Sequence, residues 1–169
     1  MTHPWHFKIS LTVALLLTLA AAGSVQAACS VSSSGLAFGA YQPLTLSGKL
    51  YSSDVTSIAD VAVVCAGIVN SGSYSIALGS SALGGGNGIS TRYLVNASGG
   101  DLMRFNLYTD PTYTTVWGNG TTGSVIGGSI PVGNSHQSQP VYGKIPAGQH
   151  ALRVGIFAAT LTMTLTYNP

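Results

Sequence analysis

Apolar and polar residues alternate with a period of two along much of this chain. Val61, Val63 and Cys65 are spaced by Ala62 and Val64, and Tyr74, Ile76 and Leu78 by Ser75 and Ala77. Met103, Phe105 and Leu107 alternate with Arg104, Asn106 and Tyr108. The cleanest run is the last, where Leu161, Met163, Leu165 and Tyr167 alternate with Thr160, Thr162, Thr164 and Thr166. Side chains of a strand point to opposite faces in turn, so each run predicts a half-buried antiparallel strand. Weaker strands are predicted at Ser30 to Phe38, Arg92 to Val95, Ser129 to Val132, Val141 to Ile145 and Val154 to Phe157. Between them lie turn residues: the Gly-rich loop Gly79 to Gly88, then Ser98 to Asp101, Asp110-Pro111, Gly118-Asn-Gly120 and Pro146-Ala-Gly148. Gly, Pro, Asn and Asp there supply the backbone angles that strands avoid. No stretch sustains a 3.6-residue apolar period. Short strands punctuated by turns predict an all-β sandwich or barrel. The sandwich is the expected form, because the two cysteines fall in the first strand and the next strong one.

The first residues read differently. Lys8 sits in a polar start, an apolar run spans Ile9 to Ala22, and the small-residue pattern Val25-Gln-Ala27 precedes Ala28. That order predicts a secretory signal peptide over residues 1–27, and the run is short for a membrane span of roughly 20 residues. An uncleaved anchor and a lipid anchor on Cys29 are the rival readings. Cleavage leaves one domain, 28–169, with no further span. Export also decides the cysteines: an oxidising compartment predicts a disulfide between Cys29 and Cys65, against the alternative of two buried thiols.

Charge and candidate chemistry subtract more than they add. Lys49, Arg92, Arg104, Lys144 and Arg153 face Asp54, Asp60, Asp101 and Asp110, with no Glu anywhere. No basic stripe is available for phosphates, so nucleic acid is not an expected partner. Gly118-Asn-Gly-Thr-Thr-Gly123 matches GxGxxG, yet no acid follows about twenty residues on, so it reads as a hairpin loop. His136 lies beside Ser135 in an expected polar loop without a nucleophile elbow, and His150 in a turn. Asp101 and Asp110 bracket one strand and would stand roughly 30 Å apart, too far for a shared carboxylate site. Asp54 and Asp60 read as turn and strand-end residues. Asn96 and Asn119 sit in N-x-S/T patterns that occur by chance outside a glycosylating pathway. No catalytic residue, cofactor or metal is expected. Trp117, with Tyr108, Tyr113 and Tyr93, is a candidate sugar-stacking platform, set against the commoner use of aromatics in packing. A self-contained secreted carbohydrate-binding module is the alternative function this allows.

An ordered set of segments carries a resemblance. Cys29-Ser-Val-Ser with Phe38-Gly-Ala-Tyr41, Val63-Val-Cys65, Arg92-Tyr-Leu, Asn106-Leu-Tyr-Thr-Asp110, Val116-Trp-Gly-Asn-Gly120 and Tyr142-Gly-Lys-Ile-Pro-Ala-Gly-Gln149 run in order up to the Leu161–Tyr167 strand. Together they resemble the spore coat protein U domain family, exported proteins related to subunits of archaic chaperone–usher pili. One departure is Gly155-Ile-Phe-Ala-Ala159, where the family usually has Gly-x-Tyr-x-Asp. The resemblance implies an immunoglobulin-like sandwich lacking its final strand, with a groove between the first and last strands. A periplasmic chaperone, and then a neighbouring subunit's donor strand, would fill that groove, with an outer-membrane usher handling assembly. Val31, Leu36 and Phe38 would line one side and Leu161, Met163, Leu165 and Tyr167 the other. The expected location is the periplasm in transit, then the cell surface or a fimbrium. Only Ala28 would precede Cys29 after cleavage, so the chain is expected to accept a strand but give none, as at a fibre tip.

Overall fold

A computed structural model describes residues 27–41, 53–81, 88–149 and 152–169. The expected signal peptide, Lys49, His150 and most of the Gly79 to Gly88 loop lie outside them. The described residues form nine strands and no helix: β1 (Ala28–Ser33), β2 (Val55–Ile68), β3 (Gly72–Ser81), β4 (Arg92–Asn96), β5 (Leu102–Tyr108), β6 (Ile126–Ile130), β7 (Gly133–Ile145), β8 (Phe157–Ala158) and β9 (Leu161–Asn168). One sheet runs β1-β2-β7-β5-β4-β8 and the other β6-β3-β9, with every pairing antiparallel. The chain is therefore an all-β sandwich of two antiparallel sheets.

Alternating apolar positions explain the core. Val61 and Val63 from one sheet, and Ile76 and Leu78 from the other, are each at most 2% exposed, and Ile130 and Ile145 join them. The strongest ladder pairs β2 with β7, from Val55 opposite Ile145 to Ile68 opposite Gly133. The periodicity located the inner part of β2 but not its start at Val55, so Asp60 is an exposed mid-strand residue rather than a strand end. The expected polar loop around His136 is also strand: β7 begins at Gly133 and sets His136 opposite Val64. Its first half, Gly133 to Pro140, has polar side chains on both faces and so shows no apolar alternation. The expected strand at Val154 to Phe157 holds only at its last residue: β8 is Phe157–Ala158, and Val154 and Ile156 are 95% and 76% exposed.

Strand β1 pairs with β2 through Ser33, opposite Val61. The chain then continues alongside β2 without a ladder, held where the Ser57 hydroxyl donates to the Ala37 carbonyl at 2.6 Å. Gly35 and Gly39, at φ +77° and +74°, bracket this stretch in the left-handed region that glycine tolerates. The turn at Gly35 shifts the alternation by one residue. Cys29 and Val31 face the core before it, and Leu36 and Phe38 after it.

Arg92 is fully buried, yet no carboxylate pairs with it. Nε donates to the Gly79 carbonyl, Nη2 to the Leu78 and Trp117 carbonyls, and Nη1 to Asn106 Oδ1. Burial holds its pKa down to about 10, because a cation stripped of water is harder to keep charged. One side chain thus ties β3, β4, β5 and the segment before β6 together.

Candidate functional site

Among the described residues, β9 pairs only with β3 and β1 only with β2. These are edge strands of different sheets, and both keep one row of backbone groups without a strand partner. The burial pattern follows. On β3, Tyr74, Ile76 and Leu78 are at most 2% exposed, whereas Leu161, Met163, Leu165 and Tyr167 on β9 are only half-buried, although they pack on the same core. A strand flanked on one side alone leaves its inward side chains partly open.

The two edges are not parallel walls. The β2–β3 turn brings Cys29, Cys65, Tyr74 and Tyr167 to one end of the sandwich, where the Tyr167 hydroxyl donates to the Asn70 carbonyl at 2.8 Å; β1 also touches β9. Cys29 stands directly opposite Cys65 on neighbouring strands, with Cα atoms 4.1 Å apart, and the two form a disulfide. At the other end the sheets part around an apolar cavity of about 740 Å³. Leu36 and Phe38 line one side, Leu161 and Met163 the other, with Phe105 and Trp117 in its wall. Phe38 packs edge-on against Phe105 at 6.0 Å between centroids. Gly143 leaves room for this: a Cβ there would come within 2.7 Å of Leu36 and 2.8 Å of Phe38. Val31, Leu165 and Tyr167 pack against the core without lining the cavity.

The profile of the Spore Coat Protein U domain matches residues 15–164. The chain belongs to that family. No curated protein matches this spore coat U chain. Among solved structures it is similar to a chain of the CsuC–CsuE chaperone–tip adhesion subunit pre-assembly complex from archaic chaperone–usher Csu pili of Acinetobacter baumannii. The identity is 18%, over 83% of this chain and 40% of that one, with a TM-score of 0.48. It is also similar to the P pilus rod subunit PapA, at 15% identity over 83% of this chain and 99% of that one, with a TM-score of 0.45. The spore coat U chain thus spans 40% of the length of the first of these.

The candidate aromatic platform, set against packing, gives way to packing at Trp117. Trp117 is 1% exposed, and its indole Nε1 donates to the Ile76 carbonyl at 2.9 Å, so it is core and cannot stack on a surface ligand. Tyr108 and Tyr113 do meet, edge-on at 5.6 Å, and Tyr113 meets Tyr142 at 6.4 Å. Lys144, paired with Asp54 at 2.9 Å, lies 5.6 Å from the Tyr113 ring centre. Tyr93 is on β4, outside this group.

The other singled-out residues have structural work. A Cβ on Gly118 would fall 1.7 Å from the Thr122 carbonyl oxygen, and Gly120 and Gly123 have φ of +88° and +71°. The GxGxxG pattern therefore serves a tight turn. Asn119 Oδ1 accepts the Thr121 and Thr122 amides, and Asn96 Oδ1 accepts the Ser98 amide, so both asparagines cap their own turns. Asp110 accepts from the Thr112 hydroxyl first of all, and from the Thr114 and Thr115 amides, which hold its carboxyl well below the usual range. Asp101 and Asp110 flank opposite ends of β5. Among the described residues no three His, Cys, Asp or Glu gather as a metal would need. Sequence reasoning used Arg92 and Gln149 within the segments that carry the resemblance but gave neither a structural role. Gln149 is 8% exposed and bonds both backbone groups of Arg104. The available signal for Arg92 was a charged residue in register with the inward Leu94; Gln149 follows the Pro146-Ala-Gly148 turn with no pattern to mark it.

Proposed function

We propose that this domain is a structural or adhesive subunit of a surface fimbria or coat, assembled by accepting a strand from another polypeptide into the groove beside β9. One observation carries the reading: β9 has a strand partner on one side only, while its inward row of Leu, Met, Leu and Tyr is half-open. Unpaired edges invite strand addition, in which backbone hydrogen bonds give affinity and alternate side chains fill pockets. The family membership supports it. The occupant would be a periplasmic chaperone first and a neighbouring subunit later, delivered through an outer-membrane usher after removal of residues 1–27. The domain turns over no substrate. The rival reading, a self-contained sugar-binding module, loses its central residue with the burial of Trp117.

The test is co-purification from the periplasm with mass-spectrometric identification of the bound partner, for wild type and for Met163→Asp. A carboxylate at Met163 would lie unpaired in an apolar groove, at a cost of several kcal/mol. Partner recovery is expected to fall at least a hundredfold. Thr162→Asp, on the opposite face of β9, is the control. Undiminished recovery with Met163→Asp, or a stable monomer of wild type without any partner, overturns the proposal.

A further inference from the structure

The groove is unequal along its length, and the inequality constrains what enters it. This argument rests on the strand-acceptor reading above and deepens it. Strand β1 touches β9 across the groove, and towards the Tyr167 end the Cys29–Cys65 disulfide fixes β1 to β2 within one sheet. Tyr167 is further tied to the β2–β3 turn through its hydroxyl. Leu165 and Tyr167 pack against the core without lining the cavity, so the open space lies away from this end. At the Leu161 end, the cavity of about 740 Å³ falls within the range of pockets that swallow whole small ligands. Its wall includes Leu78, Met103, Phe105 and Trp117, all at most 5% exposed. The charged residue among the lining positions is Arg153, which is paired with Asp101.

We infer that the partner strand is selected by a large apolar side chain, aromatic by preference, that it delivers into the Leu161–Met163 end. Elsewhere along the groove small inward residues suffice. A bulky residue gains the most where the space is deep, apolar and already walled by rings, and nothing where the two strands meet. Ala159, half-buried at the cavity wall, is small enough to leave the space open.

Synthetic peptides of β9's length test this: one alternating Val and Thr, and two in which the Val nearest one or the other terminus is Phe, the tighter-binding of the two being the Phe peptide. Each is added during refolding of residues 28–169, and binding is measured by fluorescence polarisation. Wild type is expected to bind the Phe peptide at least tenfold more tightly than the all-Val peptide. Ala159→Phe, which fills the cavity from within, is expected to reduce that ratio to below threefold. Leu161→Trp serves the same purpose should Ala159→Phe not fold. Equal affinities in wild type, or a Phe preference that survives the filling substitutions, overturn the inference while leaving strand acceptance standing. Binding of none of the peptides to wild type overturns strand acceptance itself, and this inference with it.

Discussion

Replacing Arg92 with Met is the sharpest probe of the fold. The side chain is fully buried and makes four hydrogen bonds to neutral acceptors. Bonds from a charged donor contribute about 1.5–3 kcal/mol each, a gross gain of about 6–12 kcal/mol. Against it stands the cost of burying a cation. A fall in pKa from 12.5 to about 10 corresponds to about 3 kcal/mol. Met keeps the apolar bulk, removes both contributions and leaves the Leu78, Gly79 and Trp117 carbonyls and Asn106 short of a donor. With some of these recaptured by water, Arg92→Met is expected to lose about 3–5 kcal/mol, or about 10–15 °C in Tm. Arg92→Lys keeps the charge but not the fork, and is expected to recover no more than half. Trp117 is the sole tryptophan after residue 27, and its carbonyl is one of the acceptors, so its fluorescence reports urea unfolding directly at the site. A loss under about 1 kcal/mol for Arg92→Met, or full stability with Lys, would show that the four bonds are not what holds these strands together.

Three further expectations follow from the same geometry. Cys29→Ser with Cys65→Ser releases a loop of sequence separation 36 and is expected to cost about 4 kcal/mol by chain entropy, read as a shift in urea midpoint. Gly118→Ala drives a Cβ into the Thr122 carbonyl and is expected to destabilise by more than Gly143→Ala, which meets only side-chain ends; comparative thermal melts decide the order. The Asp110 carboxyl titrates below its unfolded value of 3.8, so the order it gives the loop is complete above about pH 5 and drains away as pH falls through the depressed value. The Thr115 amide resonance should follow that course in wild type and be flat in Asp110→Asn.

Where burial alternates, the strands were legible. Val61 to Cys65, Tyr74 to Leu78, Met103 to Leu107 and Leu161 to Tyr167 all lie within strands, because one face of each meets the core. The first half of β7 was not legible. Asn134, His136 and Ser138 are exposed, Ser135, Gln137 and Gln139 are only half-buried, and Pro140 lacks a donor, so neither pattern nor propensity marks it; pairing with β2 supplies the reason it is a strand. The single-residue shift at Gly35 was likewise hidden, since Leu36 and Phe38 continue an apolar run whose change of face depends on one left-handed turn. The groove's inequality depends on how two sheets splay, which no local pattern encodes. Trp117 is ambiguous in any one-dimensional reading: an aromatic in a Gly-rich loop looks the same whether it stacks on a ligand or plugs a core.

Among the described residues the deeply buried cation, Arg92, is satisfied by amide and carbonyl groups, and the two ion pairs lie at or near the surface. Surface pairs contribute little, and a guanidinium bound to neutral dipoles has no counter-charge for salt to compete with. Brine and dilute freshwater should therefore leave this architecture much the same. For a subunit displayed outside a cell, as we propose, where the surrounding medium is not regulated, such indifference to ionic conditions is a practical advantage.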